Sequence, residues 1–380
     1  PPPAGKMGAL RRAVGRLREV GAAGPLSLPG ATNCGCGSGI LAHYRQARTL
    51  AGWTAIWYFF AASCVITSKT LLEELPSHVW TLTLWQFAVT VVCARVWLAA
   101  RPGSGKPQVV LKAQRRLLLA EGVTIYLGLV STNAAFGLMS ASLVETIKAT
   151  EPVPSVIFAA ILMGEGWAPA TEQIALAVVV TGVMLMSYAE STFQLSGLLA
   201  TLSANFNFAL GNNISKVSFA RIDRLDPLNF WYRTVQVSAI IALPAALAEV
   251  RANGFVPASM SFVVLLPVAL LNGCSFFLYN QATCVILDNV KMSVHAVLNS
   301  ARRAVLIAAT ALYFGSGFSW INLLGAAVAF VGFAFYLSRK FSDGAAAAEA
   351  AESTSAWPAP AAALVALAPP AGRTEAVAAA

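Results

Sequence analysis

The chain has 380 residues, of which 57% are hydrophobic and only 11% are charged, and its formal net charge is +9. A water-soluble domain of this length needs a larger polar and charged share to cover its surface, so the composition argues against a soluble protein and favours a membrane protein. The positive charge is concentrated at the start, because residues 1–50 hold seven Lys or Arg and a single acid, Glu19.

Residues 1–50 come before the first long apolar stretch and lack the apolar run of a secretory signal. A basic, nearly acid-free segment that is rich in Ala, Gly and Arg is typical of an organelle transit peptide. The alternative is a cytosolic tail whose basic residues flank the first membrane helix. In either case we expect this extension to be disordered.

Ten apolar stretches follow, each roughly 15–23 residues long and separated by Gly, Pro or charged residues. Because lipid offers no partner for exposed backbone groups, each stretch must form a helix. We therefore predict an all-α membrane protein whose membrane domain, residues 51–341, has ten transmembrane helices. The stretches cover residues 53–71, 79–100, 117–139, 143–163, 174–188, 195–214, 228–247, 262–279, 292–314 and 321–337.

An even number of membrane helices places both ends of the chain on one side of the bilayer. The connector after the second predicted helix, which lies on that side, carries five Lys or Arg, and Arg339 and Lys340 follow the tenth. Short connectors on the opposite side have few cations, which agrees with the positive-inside rule. Residues 342–380 form an Ala/Pro-rich tail with few charges, and we expect them to be disordered.

Ten helices divide into two halves of five, about residues 51–190 and 194–341. Paired repeats of this kind are common in transporters, and the substrate site then lies between them near the bilayer midplane. The fourth predicted helix of the first half carries Lys148, and the fourth of the second half carries Arg302 and Arg303. Two-repeat symmetry predicts that these three cations face one central cavity.

Ionisable residues within membrane helices are costly, and three cations amount to roughly 8–10 kcal/mol before any compensation. Glu145, Lys148 and Glu151 are spaced by three residues and lie near one helix face, where an internal ion pair that neutralises Lys148 is one interpretation. The adjacent Arg302 and Arg303 cannot both face one acid from one helix face. For them the alternative is snorkelling to the membrane surface.

A site with excess positive charge suits a dianionic ligand. Guanidinium groups bind phosphate oxygens with two parallel hydrogen bonds, and Lys adds a point charge. We therefore predict that Lys148, Arg302 and Arg303 bind a substrate phosphate. Thr132 and Tyr279 can add hydroxyl groups to this pocket, with a packing role as the alternative.

The chain has no phosphate-binding Gly-rich loop, nucleophile elbow or zinc-protease motif. We therefore expect a protein that is not an enzyme, with no cofactor, no metal site and no nucleic-acid partner. Its expected partners are the lipid bilayer and a small phosphorylated substrate and counter-substrate. We expect a monomer or a weak homodimer.

Four stretches, residues 131–133, 142–152, 278–281 and 294–303, occur in an order and spacing that resemble the triose-phosphate translocator family. These are the plastidic phosphate transporters of the drug/metabolite transporter superfamily, and the likeness extends over about residues 52–340. The resemblance implies a drug/metabolite transporter fold of two five-helix repeats. It also implies that Lys148, Arg302 and Arg303 bind the phosphate, and that Thr132 and Tyr279 line the same site.

The chain departs from the family pattern mostly in the part of the site that binds the rest of the substrate, away from the phosphate, which we call the organic end. Position 302 has Arg where the family has Lys, so the charge is kept but the shape changes. The phosphate end is therefore kept and the organic end altered, which argues against triose phosphate itself as the substrate. The other departures are Leu129 for a His, Val144 and Glu145 for a Thr-His pair, Met292 for a Pro and Gly211 for an Arg.

The resemblance implies an alternating-access antiporter in the inner envelope membrane of a plastid. It would exchange a phosphorylated metabolite of the sugar phosphate class for inorganic phosphate or another phosphate ester. The physical reason for exchange is that an empty site carries uncompensated positive charge, which a bound dianion cancels.

Two alternatives remain for the function. The first is a nucleotide-sugar transporter of the Golgi or endoplasmic reticulum, although such carriers commonly lack the paired cations on the ninth helix. The second is a membrane scaffold or sensor that no longer transports. Glu145 keeps this second alternative open, because an acid beside the anion site can neutralise it.

Overall fold

The computed structural model describes residues 36–100, 115–163, 169–189, 192–221, 227–254, 262–289, 292–315 and 320–353. Within these ranges every regular element is an α-helix. The helices are α1 (Cys36–Glu74), α2 (Val79–Ala100), α3 (Arg115–Leu138), α4 (Ala141–Lys148), α5 (Pro152–Met163), α6 (Ala170–Ala189), α7 (Leu195–Arg221), α8 (Pro227–Asn253), α9 (Phe262–Asn289), α10 (Met292–Phe314) and α11 (Trp320–Ser353).

The predicted apolar stretches fall on these helices, but several helix ends differ. Helix α1 begins at Cys36, inside the predicted N-terminal extension, and α11 ends at Ser353, inside the predicted tail. Residues 1–35 and 354–380, which make up the rest of those two segments, lie outside the described residues. Helix α9 continues to Asn289, so Tyr279 lies within the helix and does not close it as predicted.

The fourth predicted helix is interrupted, so the prediction of one continuous helix over residues 143–163 is wrong. Between α4 and α5 the N–H groups of residues 149–151 bond to the carbonyl three residues earlier, at 2.9–3.1 Å. Pro152 and Pro154 explain this tighter turn, because neither has an N–H to donate to the carbonyl four residues before it. As a result, Lys148 lies at the end of α4, beside a turn, instead of in the middle of a long helix.

The outer surface of the helices is apolar. Four described helical segments are long and apolar enough to cross a bilayer: Arg48–Glu74, Val79–Ala100, Arg115–Leu138 and Leu228–Asn253. Large side chains such as Phe59, Val96 and Ile240 are exposed on the outside. An all-helical chain with an apolar exterior meets the requirements of a bilayer, where every backbone group must be paired. The protein is therefore an all-α integral membrane protein.

Glycines let α6 and α11 pack with their backbones in contact. A methyl group added at Gly182 would meet the backbone nitrogen of Ala329 and would lie 2.6 Å from the carbonyl oxygen of Gly325. A methyl group added at Gly325 would lie 2.6 Å from the backbone nitrogen of Met186. Close approach through small residues is a common way to join membrane helices, since dispersion contacts between backbones replace the hydrophobic effect.

The interior of the protein lies where the other helices converge. Helix α1 packs on α9 and α10, α2 packs on α8 and α9, and α4 packs on α10. Helix α3 packs on α7 and α8 and also contacts α2. These helices surround the polar residues that form the candidate site.

Candidate substrate-binding site

An interior cavity of about 60 Å³ contains all six residues that the sequence singled out. It is lined by side chains from α1, α2, α3, α4, α7, α9 and α10. This volume holds a few water molecules, well below the usual size of a pocket for a metabolite. The six predicted residues in its wall are Thr132, Glu145, Lys148, Tyr279, Arg302 and Arg303.

Arg303 is buried and is held by two carboxylates. Its side chain comes from α10, and the residue is only 8% exposed. Its Nη1 donates to Oε2 of Glu145 at 3.0 Å, and its Nη2 donates to Oε2 of Glu151. Arg303 therefore faces the interior, and the snorkelling alternative does not apply to it.

Lys148 shares Glu145 with Arg303. Its Nζ lies 3.7 Å from Oε1 of Glu145 and donates to Oγ1 of Thr132 at 3.4 Å. The same Nζ lies 5.4 Å from the ring centre of Phe208 on α7. The predicted ion pair between Glu145 and Lys148 is thus present, and Glu145, which is 1% exposed, also joins this α4 cation to Arg303 of α10.

Arg302 is held by aromatic rings and an amide. Its Nε and Nη2 donate to Oδ1 of Asn299 at 3.1 and 2.9 Å. Its guanidinium carbon lies 5.3 Å from the Trp57 ring and 6.0 Å from the Tyr279 ring. Such cation–π contacts stabilise a cation without neutralising it. Arg302 therefore lies in the cavity wall with a positive charge that no carboxylate of the described residues neutralises.

The charge of the site is more nearly balanced than the sequence suggested. Among the described residues, three cations meet two carboxylates, Glu145 and Glu151, which leaves one excess positive charge in this set. The predicted excess of positive charge is therefore smaller than three separate cations would give. The physical reason is that Glu145 and Glu151, on both sides of Lys148 in the chain, reach across to α10.

A chain of amides begins behind the cavity wall at Asn272 and ends at Gln86 and Asn133, which line a second, neutral side of the cavity. Asn272 Nδ2 donates to the backbone carbonyl of Cys64 at 3.1 Å, and a carbonyl can only accept. Asn272 must therefore turn its Oδ1 to Gln86, whose Nε2 donates to it at 3.0 Å. This leaves Gln86 Oε1 to accept from Nδ2 of Asn133 at 3.0 Å.

The last amide of this chain has a free acceptor. Thr83 donates its hydroxyl to the Val79 carbonyl at 2.8 Å, so its oxygen accepts from Asn133 Nδ2 at 2.9 Å. Thr83 and Gln86 thus both accept a hydrogen bond from Asn133, so the amide nitrogen of Asn133 must face them. Its Oδ1 is buried without a hydrogen-bond partner among the described residues, although Asn133 lines the cavity. The neutral side therefore contains a buried acceptor that no described residue uses.

Sequence reasoning missed Trp57, Gln86 and Asn272. The signal that could have found Gln86 and Asn272 is an amide in the middle of a long apolar helix, where a polar group needs a partner. No comparable signal marks Trp57, since aromatic residues are common in membrane helices. Within the described part of the chain, no three His, Cys, Asp or Glu side chains are grouped in a way that could hold a metal ion.

Residues 48–337 match the sequence pattern of the Triose-phosphate Transporter family. The chain belongs to this family. The match spans most of the chain and includes every helix that lines the cavity. The family predicted from the motif residues is thereby confirmed, and its members are transporters.

Curated members of the triose-phosphate transporter family cover most of this chain at moderate identity. Phosphoenolpyruvate/phosphate translocator 1 of Oryza sativa subsp. japonica is 29% identical over 85% of this chain and 78% of its own length. Phosphoenolpyruvate/phosphate translocator 2 of Arabidopsis thaliana is 29% identical over 77% of each chain. The xylulose 5-phosphate/phosphate translocator of Arabidopsis thaliana is 28% identical over 74% of this chain and 68% of its own length. All three are named as chloroplastic proteins.

Proposed function

We propose that the protein is an antiporter that exchanges a phosphorylated metabolite for inorganic phosphate or another phosphate ester by alternating access. The observation that carries this proposal is the meeting of Lys148, Arg302 and Arg303 at one buried cavity in a member of a transporter family. The relatives described above are all named as phosphate translocators, which supports the same class of substrate.

The three cations have complementary roles in this proposal. Arg303 has a planar pair of N–H donors that suits two phosphate oxygens. In the structure these donors bond to the carboxylates of Glu145 and Glu151. Lys148 adds a point charge next to the Thr132 hydroxyl. Arg302 keeps its charge on aromatic surfaces and can add a third contact. A bound dianion displaces the carboxylates from these cations.

We also propose the ten-helix, two-repeat architecture, with halves of about residues 51–190 and 194–341. Here α4 and α5 count as one helix, and α1–α6 correspond in order to α7–α11. Helix packing supports this, because contacts between the halves occur in corresponding pairs. If each helix is replaced by its counterpart in the other half, a packed pair becomes another packed pair: α3–α7 becomes α9–α1, α3–α8 becomes α9–α2, and α5–α7 becomes α10–α1. The packed pairs α2–α8, α4–α10 and α6–α11 are each unchanged by the exchange.

The neutral side of the cavity favours a substrate that carries hydroxyl groups. The Oδ1 of Asn133 accepts a hydrogen bond from a hydroxyl but not from a carboxylate. The described residues on this side, such as Ser68 and Gln86, are uncharged, so nothing there offsets a carboxylate. A sugar phosphate therefore fits this side better than a phosphorylated carboxylic acid.

Asn133→Ala is expected to reduce this preference. Losing one buried hydrogen bond to the substrate costs about 1–3 kcal/mol, which corresponds to about 5-fold to 150-fold in selectivity. The measurement is inhibition of phosphate exchange by xylulose 5-phosphate and by phosphoenolpyruvate, compared as a ratio. Ser131→Ala is the matched control, since the Ser131 hydroxyl faces Ser203. An unchanged ratio in Asn133→Ala would contradict the role of this amide.

The membrane in this proposal is the inner envelope of a plastid. The names of the relatives support it, whereas no observation favours a nucleotide-sugar carrier of the Golgi or endoplasmic reticulum. The N-terminal extension would then act as the transit segment, and the functional unit is a monomer or a weak homodimer. Import of a fluorescent fusion into isolated chloroplasts tests the location.

Counter-exchange in proteoliposomes tests the function. Uptake of radiolabelled phosphate is expected to be fast when the lumen contains phosphate or a sugar phosphate. Excess UDP-sugar or GDP-sugar outside should leave this uptake unchanged. Uptake that does not respond to luminal phosphate, or that nucleotide sugars block and phosphate esters do not, would refute the exchange of phosphate esters.

A further inference from the structure

Glu145 lies between two of the cations that are proposed to bind a phosphate. Its Oε2 accepts from Arg303 Nη1 at 3.0 Å, and its Oε1 lies 3.7 Å from Lys148 Nζ. One buried carboxylate thus uses each of its oxygens for a different cation. Two oxygens of a phosphate group would bridge the same two cations in the same way.

Glu151 does not share this position. It also pairs with Arg303, but it lies in the turn after α4, its side chain is more exposed, and it accepts a further hydrogen bond from Asn212 at 3.2 Å. Among the described residues only Glu145 contacts both Lys148 and Arg303. Glu145 is therefore the group with which a phosphate must compete.

The cavity that Glu145 lines is small. Its volume of about 60 Å³ leaves no room for a sugar phosphate beside Glu145. Glu145 joins a cation of α4, Lys148, to a cation of α10, Arg303. The two packed helices are thus held by an internal ion pair where a substrate would otherwise join them.

The ion pair also changes the free energy that the empty carrier needs to change conformation across the membrane. Without acids, a site of three close cations would repel itself as the bilayer-buried cavity closes. With Glu145 and Glu151 in place, the charged side chains that the structure describes at this site have an excess of one positive charge. An empty carrier with this small excess charge can pass through the closed state.

We propose that Glu145 replaces the phosphate in the empty carrier, so that the protein also catalyses net transport of phosphate esters in addition to exchange. This inference rests on the proposed exchange function. Net transport moves the charge of the dianion across the membrane, whereas exchange of two dianions moves none. The two modes therefore differ in their response to membrane potential.

The test compares vesicles that contain phosphate with vesicles that contain only inert buffer, with radiolabelled phosphate outside in both. The wild-type protein is expected to take up phosphate in both, and an inside-positive potential should speed uptake only in the unloaded vesicles. Glu145→Gln keeps the side-chain size but removes the charge. We expect it to bind phosphate more tightly and, whatever its absolute exchange rate, to lower the ratio of unloaded to loaded uptake by about tenfold.

Glu121→Gln is the matched control. Glu121 is also a buried acid in a membrane helix, but it bonds to Ser215 and does not line the cavity. Its unloaded-to-loaded ratio should equal that of the wild type. Glu145→Asp, which keeps the carboxylate, should restore most of the net uptake that Glu145→Gln loses.

The outcomes separate this inference from the function on which it rests. A wild-type protein that exchanges but shows no uptake into unloaded vesicles above protein-free vesicles overturns net transport and leaves exchange standing. An equal ratio in wild type and Glu145→Gln overturns the role of Glu145. Absence of phosphate-dependent exchange in loaded vesicles refutes the proposed function itself. If Glu145→Gln does not fold, the wild-type comparison in unloaded vesicles decides alone.

Discussion

Arg303→Gln is expected to lower phosphate counter-exchange by about a hundredfold or more. Arg303 is the one described residue that joins Glu145 and Glu151, so its loss removes a cation from the buried Glu145 and from the half-buried Glu151. Removing one partner of a buried ion pair typically costs about 3–5 kcal/mol, which is enough for this effect. The substrate also loses its planar pair of donors. The measurement is the initial exchange rate at equal amounts of reconstituted protein.

Two further variants separate binding from folding in this prediction. Arg303→Gln combined with Glu151→Gln removes one of the two abandoned charges, and should recover stability in a thermal melt without recovering exchange. Arg339→Gln is the control, because Arg339 is exposed on α11 and lies over Phe335. Exchange by Arg303→Gln at a rate close to that of Arg339→Gln would rule out a role of Arg303 in binding.

Gly182→Leu is expected to prevent α6 from packing on α11 and to abolish the yield of monodisperse protein. Even the first carbon of the new side chain would overlap the backbone nitrogen of Ala329 and lie 2.6 Å from the Gly325 carbonyl. Backbone cannot rotate away as a flexible side chain does, so the helices must separate. Overpacking in a well-packed interior commonly costs about 1–3 kcal/mol, and backbone overlap should exceed that range. Size-exclusion chromatography and a thermal melt measure the result.

Gly137→Leu is the matched control for this packing prediction. A methyl group at Gly137 on α3 would meet nothing within 4 Å, so the same substitution should give nearly wild-type yield and melting temperature. Gly182→Ala should lie between the two, because it adds a single carbon. Equal yields from Gly182→Leu and Gly137→Leu would show that the α6–α11 contact is not needed for folding.

Much of the fold and the charged half of the site could be predicted from the sequence. Long apolar runs become helices because lipid leaves the backbone no other partner, and this prediction of an all-α membrane protein is confirmed. Lys148 and Arg303 stood out because cations in apolar helices are costly. The spacing of Glu145 and Lys148 also predicted their ion pair, which the structure contains.

The remaining features depend on contacts that are distant in sequence. Helical spacing placed Glu151 with Lys148, but the turn caused by Pro152 and Pro154 instead lets Glu151 reach Arg303. The amide chain joins α1, α2, α3 and α9, and no local pattern specifies which helices meet. For the same reason, sequence spacing alone could not indicate that two acids offset the cations.

The amide chain has a consequence for how specificity can change. The atom that Asn133 leaves free depends on the orientation of Gln86, which depends on Asn272, which is fixed by the Cys64 carbonyl. Asn272 itself does not line the cavity. A side chain that never touches cargo therefore governs whether the pocket offers an oxygen or an N–H to it. Substrate choice among relatives can thus shift through a remote amide while every cargo-contacting side chain stays the same.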